Sequence, residues 1–300
     1  MEYTLQTTDL TKNFGKTLAV NKVSMNIKKG DIYGFIGRNG AGKTTLIRMV
    51  AGLASISEGT IKLFNSDDLK KGRNKIGTMI ENPAVYPKMT ARQNLHYYCL
   101  LLGLDTKKTI DEMLKLVGLQ DTGKKKAKDF SLGMKQRLAI AIALLDEPEF
   151  LLLDEPINGL DPSGIKEFRD LVLSLNKERN ITILISSHIL GELSKIATRY
   201  GVINNGVLID EFTNEELHER CKGELEVKVD NMDRAKEVFK ESDNFIGHKI
   251  IDHQTILFPN IPGKSSLINT ELAQKGVSII SSSVVGQDLE GYFMQLMEAN

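Results

Sequence analysis

Unbroken apolar runs alternate with segments of helical period over the first two hundred residues, which predicts buried parallel strands joined by helices. Leu151-Leu152-Leu153 is such a run, and continuous hydrophobicity of this kind belongs to strands covered on both faces; Asp31 to Ile36 and Ile181 to Ser187 read as mainly apolar strands. Leu46, Met49, Val50 and Leu53 recur at helical spacing with Gly52 near the stop. Ile165, Phe168, Val172 and Leu175 repeat that spacing in a helix predicted from Ile165 to Arg179. Thr4 to Thr7 and Leu18 to Ile27 read as short alternating strands. Residues 90 to 128 read as mostly helical, with Leu95, Tyr98, Leu101 and Leu102 on one face and Met113, Leu114 and Val117 on another. Tyr200 to Ile209 is expected to be a hairpin because Asn205-Gly206 supplies its turn.

Past Asn214 the pattern changes. Leu225, Val227 and Val229 alternate with Glu224, Glu226 and Lys228, as in a half-buried strand. A helix with Met232, Ala235, Val238 and Phe239 follows. After it come a strand at Gln254 to Phe258, a helix near Ser265 to Lys275, a strand at Val277 to Val285, and an amphipathic helix carrying Leu289, Tyr292, Phe293, Leu296 and Met297. The reading is an α/β domain over 1–214 and a small α+β domain over 215–300. The second carries no motif that attaches to chemistry. It reads equally well as an accessory or regulatory domain and as one that steadies a dimer or packs on the first.

Composition narrows the partners. The chain has 300 residues, 41% hydrophobic and 26% charged, with 39 basic and 39 acidic residues and a formal net charge of zero. No global field attracts nucleic acid or anionic lipid, and the run Lys124-Lys125-Lys126-Ala127-Lys128 reads as a solvated loop rather than a phosphate patch. Cys99 and Cys221 lack metal-ligand spacing and are expected to be free thiols. The polar, acidic start does not read as a signal peptide. The longest central apolar run, Leu138 to Leu145, falls far short of the ~20 residues a bilayer span needs.

Chemistry enters at Gly37-Arg38-Asn39-Gly40-Ala41-Gly42-Lys43-Thr44-Thr45, the phosphate-loop pattern between a strand and a helix. Its glycines let backbone N–H groups close around anionic oxygens, with the positive end of the helix dipole behind them. Lys43 is expected to reach the terminal phosphates of ATP, and the Thr44 hydroxyl to ligate Mg2+. Asp154 and Glu155 follow the triple leucine at the carboxyl end of a core strand, where open α/β sheets bind their ligands. Asp154 is placed to hold Mg2+ and Glu155 to polarise the attacking water. His188 ends the next apolar strand at the same edge.

Phe130-Ser131-Leu132-Gly133-Met134-Lys135-Gln136-Arg137, just ahead of the Asp-Glu strand, resembles the signature segment of ATP-binding cassette (ABC) proteins. The resemblance extends to about Asn214 and implies a mixed sheet core, an antiparallel β layer and a helical subdomain that contacts a membrane partner. It implies that Ser131 and Gly133 serve the ATP of a second subunit, so that a homodimer sandwiches two nucleotides. Phe14 matches the aromatic that stacks on adenine. Asp161, in Gly159-Leu160-Asp161, matches the loop that crosses the dimer interface. His188 matches the residue that bonds the γ-phosphate and orients the water.

Glu81 departs from the common pattern, which has glutamine at the Mg2+-contacting position. That departure, the run from Ile80 to Ala91 and the Ser-x-Gly-Met-Lys-Gln-Arg signature are similar to ABC ATPases of bacitracin and lantibiotic resistance or immunity exporters. The competing reading makes Glu81 a loop charge and Gln93 the contact residue. The resemblance implies an ATP-hydrolysing transporter subunit that works with separate membrane-spanning permease subunits and sits on the inner membrane face through them. Two alternatives remain. One is a soluble ABC ATPase acting on nucleic acid or ribosomes, whose usual coiled-coil insertion, second cassette or basic surface is not evident. The other is a nucleotide-binding regulator, against which Glu155 and His188 speak.

Overall fold

The computed structural model describes residues 2–81, 84–221, 223–259, 263–285 and 289–298; Asn82 and Pro83 of the segment after Glu81 lie outside that set. Two compact units divide at Asn214 and Glu215. The first opens with β1 (Tyr3–Phe14), β2 (Thr17–Val23) and β3 (Asn26–Lys28), followed by β4 (Ile32–Ile36), α1 (Lys43–Ala51), β5 (Glu58–Leu63), α2 (Leu69–Arg73) and β6 (Ile76–Met79). Helices α3 (Ala91–Leu102), α4 (Thr106–Leu116) and α5 (Leu132–Ala143) come next. They lead into β7 (Phe150–Asp154), α6 (Pro162–Arg179), β8 (Thr182–Ser187), α7 (Leu190–Leu193), β9 (Arg199–Asn204) and β10 (Val207–Thr213).

The central sheet runs β10-β9-β4-β8-β7-β6, parallel except for the edge strand β10. Leu151, Leu152, Leu153, Ile183, Leu184 and Ile185 have no exposed surface, as the unbroken runs require. An antiparallel layer forms around β1, which pairs with β2, β3 and β5. Only Thr4 to Thr7 of β1 was expected as strand. It is longer because Asp9 takes a left-handed φ of 47° and register shifts follow. One bent strand therefore serves β3 at its start and β2 at its end.

Two helix expectations change in detail. Helix α1 stops at Ala51 on a left-handed Gly52, so Leu53 lies beyond it and is exposed. In α3 the buried face is Ala91, Asn94, Leu95 and Cys99, while Leu101 and Leu102 face solvent. Pattern reading passed over Asn94 because it is polar. Its side chain is nevertheless satisfied in the core, accepting from Tyr86 N (2.7 Å) and donating to Tyr86 O and Thr90 O. The hairpin of β9 and β10 turns at Asn205-Gly206, both at positive φ.

Within β4, Tyr33 is fully buried and donates to Glu211 Oε1 at 2.6 Å. Burial pushes the Glu211 carboxyl above its ordinary range, against the Tyr33 hydrogen bond and the Arg199 charge. A carboxyl raised in the folded state adds stability that is fully present below its unfolded pKa of 4.5 and is lost as pH rises through the folded value. Glu211→Gln keeps the acceptor and removes the titration. The wild type should therefore lose Tm relative to this variant as pH climbs from about 4.5 towards neutrality. A Tm difference that stays flat over that range would refute the assignment.

The second unit has its own core. After α8 (Asn214–Arg220), strands β11 (Glu224–Val229), β12 (Lys249–Ile250), β13 (Thr255–Pro259) and β14 (Ile279–Val285) form an antiparallel sheet in the order β12-β13-β11-β14. Helices α9 (Met232–Phe239) and α10 (Lys264–Gln274) cover it, and α11 (Leu289–Glu298) is the last described element. Leu225, Val227 and Val229 pack with Ala235, Val238, Ile268 and Leu272, the alternation of β11 meeting two amphipathic helix faces.

Candidate active site

The loop between β4 and α1 is shaped by close backbone approach. A Cβ on Gly37 would sit 2.5 Å from Ile203 O, and one on Gly42 would sit 2.4 Å from Ala19 O. Gly42 also holds φ at 107° as the N-cap of α1, a conformation that an L side chain resists. The loop lines a cavity of about 160 Å³ formed with Ala19 and Glu155 by Asn39, Gly40, Gly42, Lys43, Thr44 and Thr45. Ala41 is buried at the loop's inner side and returns a carbonyl to Gly206 N.

Lys43 is buried, and its ammonium donates to Gly37 O (2.6 Å) and Arg38 O (3.1 Å). It lies 3.0 Å from Glu155 Oε1, although that oxygen lacks an aligned hydrogen bond. Such a charge, already desolvated, favours an incoming polyphosphate. Thr44 Oγ1 donates to Asp154 Oδ2 at 2.7 Å, and Ser186 Oγ donates to Asp154 Oδ1 at 2.6 Å. Asp154 is 3% exposed, so both its oxygens are held by hydroxyls. A hydroxyl and a carboxylate at this spacing are hard oxygen donors suited to Mg2+.

Glu155 takes a left-handed φ of 49°, a strained state costing roughly 1–3 kcal/mol for a residue with a side chain. Ser186 holds it there, accepting from Glu155 N through both Oγ (2.9 Å) and its carbonyl (3.2 Å). His188 Nδ1 lies 2.8 Å from Glu155 Oε2. Lys43, Glu155 and His188 thus form one line of contacts along the carboxyl edge of the sheet. Sequence reading missed Ser186, which organises both acids. Its signal was a polar residue inside an apolar strand, abreast of Asp154 on the neighbouring strand.

The other expected residues lie around this centre. Phe14, 59% exposed, ends β1 with Lys12 Nζ 4.9 Å from its ring centroid. Ser131 caps α5 by accepting from Met134 N, and Asp161 caps α6 by accepting from Gly164 N. Ser131, Gly133, Gly159 and Asp161 line a separate cavity of about 400 Å³ that shares no residue with the phosphate-loop cavity. Glu81 ion-pairs with Arg48 at 2.7 Å. Gln93 is occupied elsewhere, completing the capping box of α3 with Thr90.

Comparison with known proteins agrees with this geometry. A family model described as ABC transporter matches residues 20–158. The bacitracin transport ATP-binding protein BcrA of Bacillus licheniformis is 41% identical over 99% of this chain and 98% of its own length. The lantibiotic transport ATP-binding protein SrtF of Streptococcus pyogenes is 44% identical over 68% of this chain and 89% of its own. A solved dimeric ATP-binding cassette in a post-hydrolysis state, bound to ADP and Pi, superposes with a TM-score of 0.62. It is 26% identical and covers 70% of this chain and 98% of that one. With its phosphate loop, paired acids and signature helix in one α/β unit, and with near full-length similarity to such subunits, the chain belongs to the ABC transporter ATP-binding proteins and is an ATPase subunit of that family.

Proposed function

We propose that this protein is the ATPase subunit of an exporter that confers resistance or immunity to a membrane-active peptide antibiotic of the bacitracin or lantibiotic type. The observation that carries the substrate class is the 41% identity to a bacitracin transport subunit over 99% of the chain, which includes the second unit as well as the cassette. The proposed division is a nucleotide-binding domain at 1–214 and an accessory α+β domain at 215–300. A homodimer binds two ATP molecules, and separate permease subunits cross the membrane and hold this subunit on its inner face. Among the described residues no helix is long and apolar enough to span a bilayer. The reading as a soluble ATPase of nucleic acid or ribosomes has no comparable support.

Within each site, the loop amides of Asn39 to Thr45 and the Lys43 ammonium hold the phosphates, and Phe14 stacks on the adenine. Thr44 and Asp154, with Glu81, would hold Mg2+, which supplies charge neutralisation at the phosphate oxygens. Glu155 accepts the proton of the attacking water, and His188 orients Glu155 and bonds the γ-phosphate. Ser131, Gly133 and Asp161 complete the site of the opposite subunit. Catalysis of this kind comes from positioning and electrostatics.

The test is made in cells. Deleting the gene should lower the inhibitory concentration of a peptide antibiotic of this type. The wild-type gene should restore resistance, Glu155→Gln should not, and the tagged protein should co-purify with a membrane-spanning partner. Unchanged sensitivity to such peptides, with the partner still recovered, would remove the substrate class and keep the transporter.

A further inference from the structure

Thr44 and Arg48 are four residues apart on α1 and so lie on one face of that helix, one turn and about 6 Å apart along its axis. Each contacts an acid at the carboxyl end of a strand: Thr44 reaches Asp154, the last residue of β7, and Arg48 reaches Glu81, two residues after β6. Met79 and Leu153 are parallel partners. β6 ends at Met79, and Glu81 follows two residues later. Glu81 and Asp154 therefore lie at the same end of two adjacent strands, and the Glu81 carboxylate is paired with Arg48, one helical turn away from the phosphate end of α1. Its backbone is held at a left-handed φ of 59°, a conformation that persists only when its surroundings support it.

We infer that Arg48 is a positioning residue that competes with the metal site for Glu81, making Glu81 a carboxylate with two berths one turn apart on the same face of α1. The inference rests on the proposed metal-facing role of Glu81. A glutamine at this position carries no charge for Arg48 to hold, so the latch is specific to the acid. Both side chains are substantially exposed, 43% and 57%, and an exposed ion pair biases an equilibrium by at most about fivefold. That is enough to weaken metal engagement and too little to prevent it. Closing the site moves Glu81 from Arg48 to the metal, so anything that pulls on the chain after β6 would shift the balance between the two berths.

The experiment measures the Mg2+ concentration that half-saturates tight binding of a fluorescent ATP analogue to the full chain, a binding readout independent of turnover. Arg48→Gln should lower that concentration about three- to fivefold, Arg48→Lys should stay near wild type, and Glu81→Gln should change it by itself. Removing a nearby cation could favour Mg2+ without any latch. The deciding variant is therefore the double Arg48→Gln/Glu81→Gln, in which the effect of Arg48→Gln should vanish. An equal effect of Arg48→Gln in both backgrounds would overturn the latch. If Glu81→Gln alone leaves the Mg2+ dependence unchanged, the metal-facing role of Glu81 falls instead. Both residues are on the surface, and unchanged melting temperatures would show that the variants fold.

Discussion

Glu155→Gln is expected to lower ATP turnover by about 10²- to 10⁴-fold, the range for loss of a general base, while ATP still binds and traps a stable dimer. Glutamine has the shape of glutamate and keeps an oxygen for His188 Nδ1, which lies 2.8 Å from Oε2. The backbone amide that fixes this position bonds to Ser186 and does not depend on the side chain. What disappears is the negative charge, together with its 3.0 Å contact to Lys43. Proton acceptance therefore stops, while Lys43 gains freedom to engage the phosphates. ATP affinity should hold or rise, and size-exclusion chromatography with ATP should show a dimer that the wild type does not accumulate. Near wild-type turnover by the purified variant would remove Glu155 from the reaction.

Much of this site was legible in the sequence because phosphate binding is a backbone property that leaves a pattern of glycines. Gly37 and Gly42 are needed where a Cβ would meet Ile203 O and Ala19 O, and only a tightly folded loop imposes that. Strands buried on both faces were equally plain, since nothing polar interrupts Leu151 to Leu153. The sequence was least readable where a polar side chain does structural duty. Asn94 is fully buried in the face of α3, Ser186 sits inside β8 bonding both acids, and Asp9 bends β1 through a backbone state that no local pattern announces. Arg48 was passed over for a related reason. Its partner is 33 residues away, and a basic residue in the last turn of a helix already has an ordinary explanation in the dipole.

Ser131 and Asp161 are the residues on which the proposed dimer turns. Both cap helices in this structure, and both line a cavity separate from the phosphate loop. In the proposed dimer the first-turn amides of α5 would meet another subunit's nucleotide, as helix N-termini favour anions. Two identical half-sites related by a two-fold axis then make two whole sites. This is the central claim of the account: each ATP is held by the phosphate loop of one subunit and the signature helix of the other.

Lys43→Ala should abolish ATP hydrolysis, since it deletes the one side-chain ammonium that lines the phosphate-loop cavity among the described residues. Ser131→Arg should do the same by placing bulk and charge at the N-cap of α5. The decisive measurement mixes the two variants, each with its own tag, and assays dimers purified through both tags in sequence. In such a dimer one site carries both lesions and the other carries neither. The account expects hydrolysis to return in the mixed dimers, to about half the wild-type rate if the sites act independently, while each variant alone stays inactive. Verified mixed dimers no more active than either variant alone would contradict the shared site.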